Sequence, residues 1–223
     1  MTIRSIFRQA LMAATCSACL WAAPHASAAF VVNGYANGSE SFGINSPVAN
    51  GTFSAGGFTG TWNSTTITFW CTELNEYIGF GTSYSNYSLG ALNTGALSKL
   101  FFEVGGSAGA LASTDTSAAL QLAIWEIVYE SSGTYDLNSG VFKVTSGNAT
   151  TIGIAQGWLN GLAGVTGQAT LFQLTAAGNQ DQIGGGPPPP GLLIPEPATL
   201  PLLGLGILAV VFAGRRRNSL ALS

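Results

Sequence analysis

From Leu200 to Ala213 the chain holds no charged residue, and Gly214 then leads straight into Arg215, Arg216 and Arg217. Counted from Ala198, this run is about as long as the shortest helix that crosses a bilayer. Positive charge beside a membrane segment holds that end in the cytoplasm, so everything upstream is expected to face outward. The other end agrees. Arg4 and Arg8 precede an apolar stretch from Ala10 to Trp21, and Ala26-Ser27-Ala28 offers the small residues that signal peptidase requires. Residues 1–29 therefore read as a secretory signal, which encloses Cys16, Cys19 and the sole histidine, His25. With both ends committed to addressing, residues 30–183 remain to build one ordinary domain with room for a core. A Gly/Pro linker is expected at 184–193, a sorting region with a membrane helix at 194–217, and a cytoplasmic tail at 218–223.

The sorting region has three parts in order: Pro195-Glu196-Pro197, the hydrophobic run, and the basic end. This arrangement resembles the PEP-CTERM sorting signal of Gram-negative bacteria, and Pro195, Glu196 and Pro197 match it letter for letter. The resemblance implies an exosortase-type processing enzyme as a partner. It also implies a precursor anchored in the inner membrane and a final place at the cell surface or in the extracellular matrix. Exosortase systems accompany exopolysaccharide production, so the implied setting is a polysaccharide biofilm. A plain single-span anchor is the alternative.

The exported region excludes much by what it lacks. Without histidine it has no His-based acid–base chemistry, no serine triad and no histidine metal ligand. Cys71 is its single cysteine and cannot close an intramolecular disulfide. Its only basic side chains are Lys99 and Lys143, against Glu40, Glu73, Glu76, Glu103, Asp115, Glu126, Glu130, Asp136 and Asp181. Such a surface repels phosphate backbones, which argues against nucleic acid as a partner. The acids are scattered, with no calcium-loop spacing, and no glycine run has phosphate-binding spacing. No metal and no cofactor are expected. Glu73 and Glu76, three apart, suit solvated surface better than a glycosidase pair.

An α+β fold is expected, with a β-rich first half of sandwich or barrel type packed with a few short helices. From Phe30 to about Leu89, Val, Thr and aromatic residues alternate between Asn-Gly and Gly-Gly punctuation, the mark of short antiparallel strands. The clearest strand is Thr65 to Thr72, with Ile67, Phe69 and Cys71 on one face and Thr66, Thr68 and Trp70 on the other. Helices are expected from Ala96 to Val104, capped by Thr94 and stopped by Gly105-Gly106; from Ser117 to Glu130, capped by Asp115 or Thr116; and from Ile152 to Leu162. Val141 to Val144 and Thr170 to Leu174 are the remaining strands, the latter expected to be the last.

On the Ser117 helix, Ala118, Gln121, Ile124, Trp125 and Val128 form one stripe, with Glu126 and Glu130 pointing away. Gln121 sits within that apolar stripe. A buried primary amide loses about 1–3 kcal/mol for each group left unpaired, so a partner should be waiting for it. Phe69-Trp70-Cys71, followed fifty residues on by Leu120-Gln121-Leu122-Ala123-Ile124-Trp125, resembles the thioester domain of bacterial surface adhesins. That family pairs a cysteine after an aromatic residue with a Gln-x-Ala-x-Trp helix and joins the two side chains covalently. Cys71 matches the family cysteine, and Gln121, Ala123 and Trp125 match the helix motif. The family's threonine before the glutamine is Leu120 here.

The resemblance implies a Cys71–Gln121 thioester that acylates an amine or hydroxyl on a partner surface. It would act once and without turnover, so the protein is not expected to be an enzyme. Phe69, Trp70, Ile124 and Trp125 are the expected walls of a pocket that keeps water out. Oxyanion donors are expected from backbone N–H groups near Cys71 or from the Tyr129 hydroxyl. Two plainer readings stand beside this one. Cys71 can be an inert buried thiol and Gln121 a satisfied core amide. The protein can also be a non-covalent structural or carbohydrate-binding component of an extracellular polysaccharide matrix, with Trp62, Tyr84 and Tyr87 stacking on sugars.

Overall fold

The computed structural model describes residues 29–92, 95–130 and 132–190. The signal segment before Ala29, the Thr94 cap, the Pro195-Glu196-Pro197 motif, the apolar run and the tail lie outside the described residues. Among the described residues, no helix is long and apolar enough to cross a membrane.

The fold is α+β, with a β-rich first half as the alternation of that half predicts. Its strands are β1 (Phe30–Tyr35), β2 (Glu40–Asn45), β3 (Asn50–Ala55), β4 (Phe58–Trp62), β5 (Thr65–Cys71), β6 (Ser83–Tyr84) and β7 (Ser88–Leu92). Helices α1 (Gly95–Val104), α2 (Gly106–Ala110) and α3 (Thr114–Tyr129) follow, then β8 (Lys143–Ser146), α4 (Ala149–Gly161), β9 (Leu171–Ala176) and β10 (Asn179–Gly185). A seven-stranded sheet has the order β6-β1-β4-β5-β10-β9-β7, and a three-stranded sheet has the order β3-β2-β8. Neighbours in both pair antiparallel. The larger sheet runs from edge β6 to edge β7 without closing, so it is not a barrel.

Helix α3 is the central element and differs from its expectation. Its N-cap is Ser113, which closes a capping box with Thr116 and starts the helix three residues before Ser117. Every residue from Ser117 to Glu126 is buried, because α3 packs against α1, α2, α4, β2, β3 and β5 at once. A helix wrapped on all sides shows no amphipathic stripe. Val128, placed on the apolar stripe by periodicity, is instead exposed, and Glu126, expected to point to solvent, is buried.

The second miss is β10. The sequence pattern predicts Thr170 to Leu174 as the last strand and assigns none to Asn179-Gln-Asp-Gln-Ile-Gly-Gly. In the fold β10 lies between β5 and β9, inside the seven-stranded sheet, and continues two residues into the expected linker. Gly184 is required there, because a Cβ would run into the Phe172 ring and sit 2.5 Å from the Thr68 carbonyl oxygen.

The aromatic residues expected to stack on sugars are packed inside. Trp62 and Tyr87 are buried, and Tyr84 is half-buried against Phe30 and Tyr87.

Candidate functional site

Strand β5 is fixed on helix α3 by residues one turn apart. The Trp70 indole N–H donates to the Ser117 carbonyl at 3.1 Å, and the Ser117 hydroxyl accepts from the Gly57 N–H at 2.8 Å. One turn later stands Gln121. Strand β4 stops pairing with β5 at Phe58–Phe69, which leaves the backbone of Cys71 without a strand on that side. The Gln121 side chain takes the empty place: its Oε1 accepts from the Cys71 N–H at 3.0 Å and its Nε2 donates to the Cys71 carbonyl at 2.7 Å. A primary amide can stand in for a peptide group, and here it extends the ladder by one pair. The structure therefore brings together the two residues that the sequence paired, but through the backbone of Cys71.

The sulfur faces the other way. Across β10, Gln182 is directly opposite Cys71 and Ile183 opposite Trp70. The Thr72 N–H donates to the Asp181 carbonyl at 3.0 Å, so Cys71–Gln182 is a pair of the non-hydrogen-bonded kind, in which facing side chains lie closest. The Cys71 Sγ donates to the Gln180 Oε1 at 2.8 Å.

Gln180 is held at every polar atom of its side chain and at its carbonyl. Its Nε2 donates to the Glu73 carbonyl at 2.7 Å, and its own backbone oxygen accepts from the Tyr87 hydroxyl at 2.6 Å and the Gln182 Nε2 at 2.8 Å. The Glu73 carboxylate accepts from the Asp181 N–H at 2.9 Å, which ties the strand end to the same loop. Sequence reasoning missed Gln180 and Gln182 as site residues, and expected Tyr87 to stack on sugars where it instead holds the Gln180 carbonyl. The available signal was the alternation of Gln180 and Gln182, a period of two that belongs to a strand.

Cys71 is only 3 % exposed. Burial drives its thiol far above the ordinary value, and the neighbouring Gln182 amide offsets only part of that rise. The free thiol is therefore protonated at neutral pH.

A cavity of about 240 Å³ opens beside this pair, with Cys71, Gln180, Leu74 and Trp125 in its lining. Tyr77 and Phe80 also line it and are 77 % and 53 % exposed, while Glu73 and Glu76 add carboxylates. Of the four expected wall residues only Trp125 lines it, and its buried indole N–H has no partner among the described residues. Phe69, Trp70 and Ile124 are instead core residues. Phe69 packs on Phe30 and Phe58, Trp70 meets Phe101 edge-on, and Ile124 is fully buried on α3. The Tyr129 hydroxyl, expected as an oxyanion donor, accepts from the Leu74 N–H at 2.8 Å. Among the described residues no group of His, Cys, Asp and Glu could hold a metal ion.

Beyond the described residues, 193–217 match the PEP-CTERM protein-sorting motif. No curated protein and no solved structure matches the chain. The motif match spans the Pro195-Glu196-Pro197 signal, the apolar run and the arginine end together. The chain is thus an exported protein carrying a C-terminal PEP-CTERM signal, sorted by an exosortase-type enzyme.

Proposed function

We propose that this protein is a covalent adhesin or matrix protein whose warhead is an internal thioester between Cys71 and Gln180. The observation that carries the reading is the 2.8 Å contact between the Cys71 sulfur and the Gln180 side-chain oxygen, buried beside a small cavity that both residues line. The carbonyl carbon is one bond, about 1.2 Å, from that oxygen, which puts it within about 4 Å of the sulfur and one short rotation from a near-attack separation. In the reaction the sulfur bonds to the Gln180 carbonyl carbon, the carbon–nitrogen bond breaks, and the thiol proton leaves with the nitrogen as ammonia. The product stores acylating power. An amine or hydroxyl on a partner then bonds to the same carbon, the carbon–sulfur bond breaks, and the nucleophile's proton returns to sulfur.

Gln121 has the supporting role in this account. Both ends of its amide are spent on the Cys71 backbone, which fixes the residue and leaves Gln180 as the amide that the sulfur faces. Burial of Cys71 excludes water, the competing nucleophile. A secreted, exosortase-sorted protein also meets surfaces and polysaccharide that carry suitable amines and hydroxyls.

Exposed Tyr77 and Phe80 on the cavity favour a second reading, in which the same cleft binds a polysaccharide non-covalently by stacking. Intact mass separates the two. The freshly purified protein is expected to be lighter than its processed sequence by one ammonia, with no thiol titrating on denaturation, and to gain the mass of methylamine when incubated with it. Gln180→Ala removes all three effects, and Cys71→Ala restores the full mass and abolishes the methylamine uptake. Full sequence mass with one titratable thiol leaves only the non-covalent reading.

A further inference from the structure

Thioester chemistry passes through a tetrahedral carbon whose oxygen carries negative charge, and that charge needs a donor in place beforehand. The obvious donors near Cys71 are already committed. Its own N–H goes to Gln121, the Thr72 N–H to the Asp181 carbonyl, and the Leu74 N–H to the Tyr129 hydroxyl.

Two donors remain: the Trp125 indole N–H in the cavity lining, which makes no hydrogen bond to Gln180, and the Gln182 amide, which does. Gln182 is therefore the one already set against the reacting oxygen. It is fully buried, directly across the ladder from Cys71, and both hydrogen bonds of its Nε2 go to Gln180. One reaches the Gln180 carbonyl of the main chain at 2.8 Å, and the other reaches the side-chain Oε1 at 3.5 Å. Its own Oε1 has no partner among the described residues. A buried amide that leaves its acceptor unpaired is a poor choice for packing alone, since an apolar side chain of the same shape avoids the loss. The amide is there for its N–H.

We infer that Gln182 is the oxyanion donor of this site, its Nε2 hydrogen stabilising the negative oxygen of Gln180 while the carbon–sulfur bond forms and again while a partner breaks it. The inference rests on the Cys71–Gln180 thioester. A contact of 3.5 Å is weak toward a neutral carbonyl and strengthens as charge builds and the oxygen moves out of plane. That difference between ground and transition state is what accelerates a reaction. The 2.8 Å bond to the main chain holds the donor in place meanwhile, so it does not have to be organised during the step.

The test follows loss of one ammonia with time in newly synthesised full-length protein, comparing wild type with Gln182→Met. Removing one oxyanion donor slows such a step about 10²–10³-fold, and the variant is expected to form the thioester slower by that factor. Its melting temperature should hold or rise, because the orphaned oxygen is removed as well. Once loaded, it should react with methylamine at a lower limiting rate and an unchanged half-saturating concentration. Gln182→Glu gives a second line of evidence that does not depend on the first variant folding. The introduced carboxyl donates only when protonated, so thioester formation should be slow at neutral pH and recover as pH falls. Variants that form the thioester at the wild-type rate overturn the role of Gln182. A wild-type protein that never loses ammonia overturns the thioester itself, a distinct result.

Discussion

Trp70→Ala is expected to destabilise the domain by about 3–5 kcal/mol, the cost of removing a large aromatic side chain from a core. The ring is fully buried, meets Phe101 edge-on at 5.7 Å, and sits over Gly57 so closely that a Cβ there would lie 2.7 Å from it. It also anchors β5 to α3 through its 3.1 Å hydrogen bond to Ser117. Alanine loses the packing, the bond and the fixed register that sets Cys71 against Gln121 and Gln180. In thermal melts the midpoint should fall by on the order of 10 °C for a domain of this size. A change below about 1 kcal/mol in denaturant titrations would show that the β5–α3 junction does not depend on this ring.

The second large effect is a dependence on pH centred on Glu126. Its carboxyl is wholly buried on α3, one oxygen accepting from the Asp136 N–H at 2.7 Å and the other unpartnered among the described residues. Burial pushes its pKa up to about 7 from an ordinary 4.5; the Asp136 N–H opposes the shift, while the charges of Glu130 and Asp136 add to it. The folded state therefore holds a proton that the unfolded chain has released. Stability should be unaffected by this group below pH 4.5, fall as pH rises from about 4.5 to about 7, and stay low above that. The full loss is about 3 kcal/mol. Glu126→Gln keeps the acceptor for Asp136 and removes the charge, so it should flatten the profile and stabilise the domain at pH 8 by a similar amount. Parallel stability profiles for wild type and variant across this range would refute the burial of a charged carboxylate.

How far the site could be read in advance follows from where its parts sit. Strand β5 was legible because Thr66, Ile67, Thr68 and Phe69 alternate polar and apolar before an aromatic end, and α1 because Gly105 and Gly106 stop it cleanly. That Gln121 stands beside Cys71 was legible too, through an aromatic-Cys strand end and a Gln-x-Ala-x-Trp helix. Which atoms meet was not. Gln121 bonds the backbone of Cys71 because β4 ends early, and no local pattern announces an early end of pairing. Strand β10 was hidden for a different reason: Asn, Gln, Asp and Gly have low strand propensity. They form a central strand here because Gly184 permits close approach to Phe172 and because the buried glutamines hydrogen-bond within the site. Glu126 was misplaced for the same kind of reason. Its burial follows from elements wrapping α3 on every side, a tertiary fact that helical periodicity does not carry.

The most direct measurement is a peptide map of the protein after reaction with methylamine. Aminolysis leaves the methylamide on whichever glutamine carried the acyl group, and fragmentation locates it to one residue. The account predicts that the label is on Gln180, that Cys71 is returned as a free thiol in the same sample, and that Gln121 is unmodified. Label on Gln121 would contradict the assignment drawn from the 2.8 Å sulfur contact, and a map with no labelled glutamine would contradict the thioester altogether.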